Sequence, residues 1–360
     1  MTQTITLEQN KRSDGKRMTF LDVLRVAATC AVVLLHTVTG VRDTRDMSEY
    51  PVESMVFLII MDCVTWCVPV FIMISGYLFL DPEREIPFFL ILKKYCRRII
   101  LALFLFGVPY ACLELIMQEK RFRPGLIWEG VIKVCRGQSW AHMWYLYLIL
   151  LLYLLTPALK VLMEKCPRSL IYVIMAMIFV GGSILPFVKA LPGGQENIPA
   201  LPAESIYLFY YLCGGLSANR KRKKEGIEKQ KHSAEAAAVL TIIWVMGMMA
   251  FRIKFGGSVQ RPYNYPFTAG LSLLIFELAG TGEGIWRRQE KYLKEAGGFC
   301  FTIYLVHPVF VNLLYKFFDI TPLAFPVGIS LPVFFLGIMA ASVAAAWVLR
   351  KIPLLAKYVL

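Results

Sequence analysis

Long apolar runs separated by short polar segments dominate this chain. Ten such runs can be recognised, and most approach the ~20 residues that a helix needs to cross the hydrocarbon core of a membrane. They lie near residues 20–40, 55–80, 98–117, 143–163, 170–188, 205–218, 235–253, 267–285, 299–317 and 327–349. The sixth run is short, and prolines and glycines flank it. The pattern predicts an all-α protein: a polytopic transmembrane helical bundle with about ten spans.

The runs leave little room for a soluble domain. We therefore predict a cytoplasmic N-terminal tail over residues 1–18, a transmembrane domain over 19–350 and a cytoplasmic C-terminal tail over 351–360. Four basic residues precede the first run, which is long enough to stay in the membrane. It is expected to be an uncleaved first span rather than a signal peptide.

The distribution of basic residues predicts how the spans are oriented in the membrane. The chain is 57% apolar and 18% charged with a mean hydropathy of +0.57, unlike soluble domains. A net charge of +14 is compatible with nucleic-acid binding, but the basic residues cluster beside apolar runs, where they set topology. With a cytoplasmic N-terminus, 26 of the 39 Lys and Arg fall on the inner side, 12 on the outer side, and Arg25 inside the first span. This bias predicts that both termini are cytoplasmic and that membrane lipid, not nucleic acid, is the partner.

The nine cysteines change the picture little. They lie mostly inside apolar runs and show no paired CxxC spacing, so neither a disulfide framework nor a zinc site is predicted. Cys63 and Cys67 share one helical face, but two thiols alone make a poor metal site, and packing is the preferred interpretation. No metal is expected.

Charged and titratable groups in the first span are the first candidates for chemistry, because such groups are costly in a membrane. Arg25 and His36 are eleven residues apart, which is three helical turns plus ~20° and a rise of ~16.5 Å. Both therefore face one side of the helix, and Asp22 can pair with Arg25 on that side. Snorkelling of Arg25 to the headgroups and a purely structural imidazole are the alternatives. Histidine titrates near neutrality, so His36 is suited to act as a general base on a hydroxyl.

Four motifs in order resemble the signatures of the acyltransferase-3 family of membrane acyltransferases. The first joins TFLDVLR, ending at Arg25, with VVLLH, ending at His36. The others are FIMISGY (71–77) at the end of the second span, the basic KKYCRRI (93–99) before the third, and FTIYLVHP (301–308) in the penultimate one. The resemblance covers nearly the whole chain. In the family an arginine pair followed by a third arginine is usual in the basic motif, whereas here two lysines precede two arginines.

The resemblance implies transfer of an acyl group, commonly acetyl, from cytoplasmic acetyl-CoA to a hydroxyl on a glycan or another extracytoplasmic acceptor. It implies a catalytic role for His36, either as a base or as a covalent relay of the acyl group. Arg25, Lys94, Arg97 and Arg98 would bind the phosphates of the donor. The expected location is a bacterial inner membrane, in many passes. Nothing in the sequence indicates an oligomeric state.

Two further residues are proposed in the second span. Asp62 lies at a depth comparable with His36 and is hypothesised to orient or charge it; a polar contact between helices is the alternative. Ser75 precedes Gly76 and is a candidate for the pore, but no strand-to-helix elbow surrounds it. Packing through small residues is therefore preferred over a nucleophilic serine.

Aromatic and histidine residues supply the remaining candidates. His142 and Trp144 mark an outer interface, where an aromatic belt and a platform for a sugar ring are both possible. Tyr304 and His307 share a helical face and are expected to line the substrate pore, although Pro308 makes a helix distortion equally natural.

Two other classes of protein compete with an acyltransferase. A secondary transporter of a small polar or glycan-related solute also buries a few charges, but no inverted repeat is apparent. A membrane sensor would need an effector domain, and none follows the last run. Loops 118–142 and 189–204 are expected to select the acceptor.

Overall fold

The computed structural model describes residues 18–191, 193–194, 201–223, 227–256 and 263–360. Within these ranges the regular structure is helical and contains no strand, which confirms the predicted all-α class. The predicted tail 1–18, apart from Met18, and part of loop 189–204 lie outside the described residues.

The helices that matter below are labelled in chain order. They are α1 Thr19–Thr44, α2 Pro51–Val64, α3 Cys67–Phe79, α4 Arg97–Glu119, α5 Leu126–Cys135, α6 Trp144–Lys165, α7 Arg168–Phe179, α8 Leu185–Ala190, α9 Ile206–Lys223, α10 Ile227–Phe255, α11 Pro266–Thr281, α12 Glu283–Trp286, α13 Glu290–Asn312, α14 Val327–Arg350 and α15 Pro353–Tyr358.

The predicted spans are recovered in number and place. Among the described residues, eight helical segments are long and apolar enough to cross a membrane, and two shorter apolar helices, Ile206–Ala218 and Pro266–Thr281, match the sixth and eighth predicted runs. The chain is therefore a polytopic helical membrane protein. The cytoplasmic placement of both termini stays a prediction.

The second span is broken in its middle, which the apolar pattern did not indicate. Helix α2 ends at Val64 and α3 begins at Cys67. Pro69 lacks the N–H that would bond to the carbonyl of Thr65, and its ring crowds that carbonyl. The Thr65 carbonyl therefore lacks this helical donor, while the Thr65 hydroxyl donates to the carbonyl of Met61 at 2.5 Å. The break therefore lies one turn before the proline.

The helices form two compact units. Unit I comprises the chain up to Arg84 together with Cys166–Cys300, and unit II comprises Glu85–Lys165 together with Phe301–Leu360. Helix α13 contributes its first half to unit I and its second half to unit II.

Close backbone contact between α3 and α9 organises unit I. A Cβ added at Gly76 would lie 1.9 Å from the carbonyl oxygen of Tyr211, and one added at Gly214 would lie 2.0 Å from that of Met73. Only glycine fits at these positions, because the obstructing atoms are backbone and cannot move aside. Small residues allow such close approach between helices in membranes, where apolar burial alone does not drive association.

Unit II contains two π-helical turns and an unpredicted helix. The turns are Ile91–Cys96, which precedes α4, and Leu313–Phe317, which follows α13. Helix α5 lies within the predicted outer loop 118–142 and packs against α4 through Gly130, whose added Cβ would lie 2.8 Å from Cys112 Sγ. The loop is therefore partly ordered helix, with Ile127 and Trp128 exposed.

Candidate functional site

The residues proposed from the sequence are divided between the two units, and each set is described within its own unit. Unit I holds Arg25, His36, Asp62 and Ser75, and unit II holds Lys94, Arg97, Arg98, His142, Trp144, Tyr304 and His307.

The N-terminal end of α1 is fixed by a carboxylate from a distant part of the chain. The two oxygens of Glu283 accept hydrogen bonds from the backbone N–H groups of Thr19 at 3.1 Å and Phe20 at 2.7 Å. These are among the N–H groups that a helix start leaves without an internal partner, and a negative charge there is favoured by the helix dipole. Arg287 lies 3.7 Å from the same carboxylate. Glu283 therefore caps α1.

One turn further along α1, Arg25 is held by Asp22 as expected. Arg25 Nη1 donates to Asp22 Oδ1 at 2.7 Å, and the Asp22 side chain is 1% exposed while that of Arg25 is 29% exposed. A Cβ added at Gly297 of α13 would lie 3.2 Å from Asp22 Oδ1, so a glycine leaves room for the carboxylate. The guanidinium is thus oriented by a buried acid and remains accessible.

His36 lies on the same α1 helix, eleven residues beyond Arg25, and is partly exposed. The helix is continuous from Thr19 to Thr44, so the predicted common face and the rise of ~16.5 Å between the two residues follow directly. Unit I therefore presents a cation near one end of α1 and an imidazole far along it.

Asp62 is engaged by a residue that the sequence did not single out. Arg252 of α10 donates from Nε and Nη2 to the two carboxylate oxygens of Asp62, both at 2.8 Å, and from Nη1 to the carbonyl of Gly256 at 2.9 Å. The Asp62 and Arg252 side chains are 4% and 2% exposed. The hypothesis that Asp62 acts on His36 stays a prediction, and the observed geometry adds a buried, bidentate ion pair between α2 and α10.

Ser75 lies on α3 next to the glycine contact with α9. Its hydroxyl donates to the carbonyl of Phe71 in the same helix at 3.1 Å, and the residue is buried. Back-bonding to the carbonyl four residues earlier is common for serine within helices.

In unit II the basic motif lies on the π-helical turn and the first turn of α4. Lys93, Lys94 and Arg97 are exposed, whereas Arg98 is partly buried. Arg98 donates from Nε to the carbonyl of Val359 at 2.9 Å and from Nη2 to that of Leu360 at 2.8 Å. The four cations therefore share one helix start but have different surroundings.

The structure brings His142, Tyr304 and His307 together. The ring centroid of His142 lies 5.6 Å from that of Tyr304 and 5.9 Å from that of His307. The Tyr304 hydroxyl donates to the carbonyl of His142. His307 Nδ1 lies 3.0 Å from the carbonyl of Ile303. Because a carbonyl only accepts, Nδ1 carries the proton in this bond, and in the neutral ring Nε2 carries the lone pair. Trp144 is partly exposed at the start of α6 and has Tyr145 as a ring neighbour at 6.3 Å.

Tyr110 and Trp140 complete this group of rings and were missed by the sequence argument. They are stacked with centroids 4.2 Å apart, and Tyr110 donates to the carbonyl of Leu305 at 2.7 Å. Trp140 lies 6.2 Å from His142. Trp140 is only two residues from His142, which was a signal that could have found it. We call His142, Tyr304, His307, Tyr110 and Trp140 the aromatic–histidine cluster.

Many apolar spanning helices with a small set of embedded charges, histidines and aromatic residues define an integral, multi-pass membrane protein. The chain belongs to the acyltransferase-3 family, whose acyltransferase domain matches residues 18–351. No curated protein and no solved structure gives a significant match to the chain. Family membership makes the protein a membrane acyltransferase and favours that class over the transporter alternative.

Proposed function

We propose that this protein transfers an acetyl group from cytoplasmic acetyl-CoA to a hydroxyl of a cell-surface or lipid-linked glycan, as an O-acetyltransferase of a bacterial inner membrane. The observation that carries the proposal is the arrangement on α1 in a chain of this family. An accessible guanidinium held by Asp22 and the imidazole of His36 lie on one face of a continuous helix.

The proposed chemistry needs one base. His36 removes the proton of the acceptor hydroxyl while the hydroxyl oxygen attacks the thioester carbonyl carbon. The tetrahedral intermediate then collapses, the C–S bond breaks, and coenzyme A leaves as a thiolate that receives the proton. An ester and free coenzyme A are the products. A neutral imidazole is suited to this task because its ordinary pKa lies close to physiological pH.

A covalent route through His36 uses the same residue. The imidazole attacks the thioester first, the C–S bond breaks, and the thiolate of coenzyme A takes the proton that the acylated imidazole loses. The acceptor hydroxyl then attacks the acyl-imidazole, the acyl C–N bond breaks, and the freed imidazole nitrogen takes the hydroxyl proton. The two routes differ when no acceptor is present. Label from acetyl-CoA accumulates on the protein, and is released by hydroxylamine, only in the covalent route.

Donor binding is proposed separately for each unit. Arg25 in unit I and the basic motif of unit II, with Lys94, Arg97 and Arg98, are expected to contribute to acetyl-CoA affinity. The support is the accessibility of Arg25, Lys94 and Arg97, since a phosphate ligand must be reachable from water. Lysine and arginine bind phosphate through charge-assisted hydrogen bonds.

The acceptor is proposed to use the aromatic side chains of unit II. Tyr304, His307, His142 and Trp144 are the predicted pore residues of unit II, and α5 of loop 118–142 adds the exposed ring of Trp128. Aromatic faces with nearby polar groups suit a sugar, which offers C–H patches and hydroxyls together. The support is the proximity of His142, Tyr304 and His307, three of the five predicted pore residues.

Acetyl transfer into glycans tests the proposal. Membranes that contain the protein are incubated with radiolabelled acetyl-CoA, and label is followed into lipid-linked and surface glycans. Matched membranes without the protein are the control. We expect label in a glycan fraction only when the protein is present, and that fraction identifies the acceptor class. Equal label in both preparations would contradict the proposed donor and acceptor.

A further inference from the structure

The last residues of unit II are bound by the basic motif rather than projecting away from it. Helix α15 covers Pro353–Tyr358, and Val359 and Leu360 follow it with 2% and 8% of their surface exposed. Arg98 reaches the carbonyls of both residues through two different nitrogens. Segment 353–360 is therefore attached to the start of α4.

The contact has a clear physical basis. A helix end leaves its final carbonyls without internal donors, and an arginine is well suited to supply them. The guanidinium is a rigid fork whose N–H groups reach two neighbouring acceptors at once, which a lysine ammonium does not reproduce. The Arg98 guanidinium also lies 4.9 Å from the ring centroid of Phe301, a cation–π distance. Arg98 is thus committed to main-chain carbonyls and to a ring.

The neighbouring cations have a different environment. Lys93, Lys94 and Arg97 are exposed, and Arg97 lies 5.5 Å from the ring of Tyr358 on segment 353–360. Lys357 lies 5.1 Å from the same ring. The segment held by Arg98 therefore carries an aromatic ring and a further cation beside Arg97.

We propose that the basic motif divides its work. Arg98 is a positioning residue that holds segment 353–360 in place as one wall of the acyl-donor site, whereas Arg97 and Lys94 bind the donor phosphates directly. The inference rests on the proposed acetyl-CoA donor, and it assigns to segment 353–360 a part in donor affinity.

Charge-conserving variants separate a positioning residue from a phosphate ligand. A charge-assisted hydrogen bond corresponds to about ten-fold or more in affinity. Arg97→Ala is expected to raise the KM for acetyl-CoA by about ten-fold. Arg97→Lys should keep the KM close to the wild-type value, because a point charge still binds phosphate. Arg98→Ala and Arg98→Lys are expected to raise KM alike, with kcat within about two-fold of wild type. An Arg98→Lys variant with wild-type KM would overturn the proposal.

A chain ending at Ile352 supplies the second comparison. Removal of residues 353–360 should raise KM as Arg98→Ala does, and combining the two changes should add nothing further, since both remove the same wall. Lys94→Ala is the matched exposed control, and its effect should multiply with that of the truncation. If the increases in KM caused by Arg98→Ala and by the truncation multiply in the combined variant, Arg98 binds the donor independently and the proposal is wrong.

Hydrogen exchange keeps this inference distinct from the proposed function. In the purified full-length protein without donor, Arg98→Lys should speed amide exchange of residues 353–360, and Lys94→Ala should not. Unchanged exchange in Arg98→Lys would overturn the positioning role. If the wild type does not use acetyl-CoA but the exchange result holds, the proposed donor is wrong and the attachment of segment 353–360 stands.

Discussion

The Asp62–Arg252 pair gives a quantitative test of how unit I is held together. Both side chains are almost fully buried, and two hydrogen bonds of 2.8 Å join them across α2 and α10. Asp62→Asn keeps the size of the side chain but leaves the Arg252 charge buried without its carboxylate. Loss of one partner of a buried pair costs about 3–5 kcal/mol. Ordinary hydrogen bonds between membrane helices average about 0.6 kcal/mol, so this loss should exceed that of most polar changes.

The assay is thermal unfolding of the purified protein in detergent, compared across a double-mutant cycle. Asp62→Asn and Arg252→Gln should each lower the melting temperature by several degrees. Asp62→Leu combined with Arg252→Met should recover most of the loss, because replacing both charges removes the uncompensated one. Single variants with wild-type melting temperatures, or a double variant whose loss is the sum of the single losses, would show that the pair does not join α2 to α10.

The same variants test the hypothesis that Asp62 acts on His36. If Asp62 only joins α2 to α10, the stable Asp62→Leu/Arg252→Met double variant should transfer acetyl groups at close to the wild-type rate. A stable but slow double variant would support a role in catalysis, whereas a normal rate in Asp62→Asn, with His36→Ala inactive, would exclude it.

Three further changes address other contacts. Gly76→Ala should destabilise the protein by several kcal/mol in thermal unfolding, because its Cβ would overlap a backbone carbonyl. The control Gly247→Ala, whose Cβ would have no atom within 4 Å, should be neutral or stabilising by about 0.5–1 kcal/mol. Equal losses of stability in the two variants would contradict the close contact. Glu283→Gln should weaken the cap of α1 by about 0.5–2 kcal/mol and speed amide exchange in the first turn of α1. Unchanged exchange would show that Glu283 does not stabilise this helix start. Tyr304→Phe removes the bond to the carbonyl of His142 and should raise the KM for the acceptor but not that for acetyl-CoA; the reverse pattern would place the cluster on the donor side.

Much of the fold could be predicted from the sequence because spanning a membrane imposes a strong local signal. Each apolar run reports its own helix, so all ten spans were located, including the two short ones at Ile206–Ala218 and Pro266–Thr281. The third and ninth helical segments begin earlier than predicted, at Phe88 and Glu283, because charged residues separate their first turns from the apolar run. The break after Val64 needs only Pro69 and was still missed, because an apolar window does not register one missing donor. Helix α5 was missed because its ten residues are too few for a span.

The contacts that shape the candidate site were less predictable because they join distant parts of the chain. Asp22 with Arg25 was foreseen, since the two lie one turn apart. Arg252 was not singled out by the sequence, yet it is buried against a carboxylate 190 residues away. Glu283 caps a helix that starts 264 residues earlier. Periodicity carries no information about such pairs.

The proximity of His142, Tyr304 and His307 was likewise only partly accessible. The sequence grouped Tyr304 with His307 by their spacing and set His142 apart at an interface. The structure joins them through ring contacts and one hydrogen bond to a carbonyl. Their predicted role in the substrate pore stays a prediction that acceptor kinetics can test.

Acetyl transfer by His36→Ala tests whether His36 catalyses the proposed reaction. Three purified proteins are reconstituted in proteoliposomes: wild type, His36→Ala and the neighbouring control Thr37→Val. Each is supplied with radiolabelled acetyl-CoA and glycan acceptor, and equal melting temperatures show that the variants are folded. We expect labelled glycan with wild type and Thr37→Val, and a rate at least about 100-fold lower with His36→Ala, because the general base is removed. A His36→Ala variant that transfers acetyl groups at the wild-type rate would contradict a catalytic role for His36.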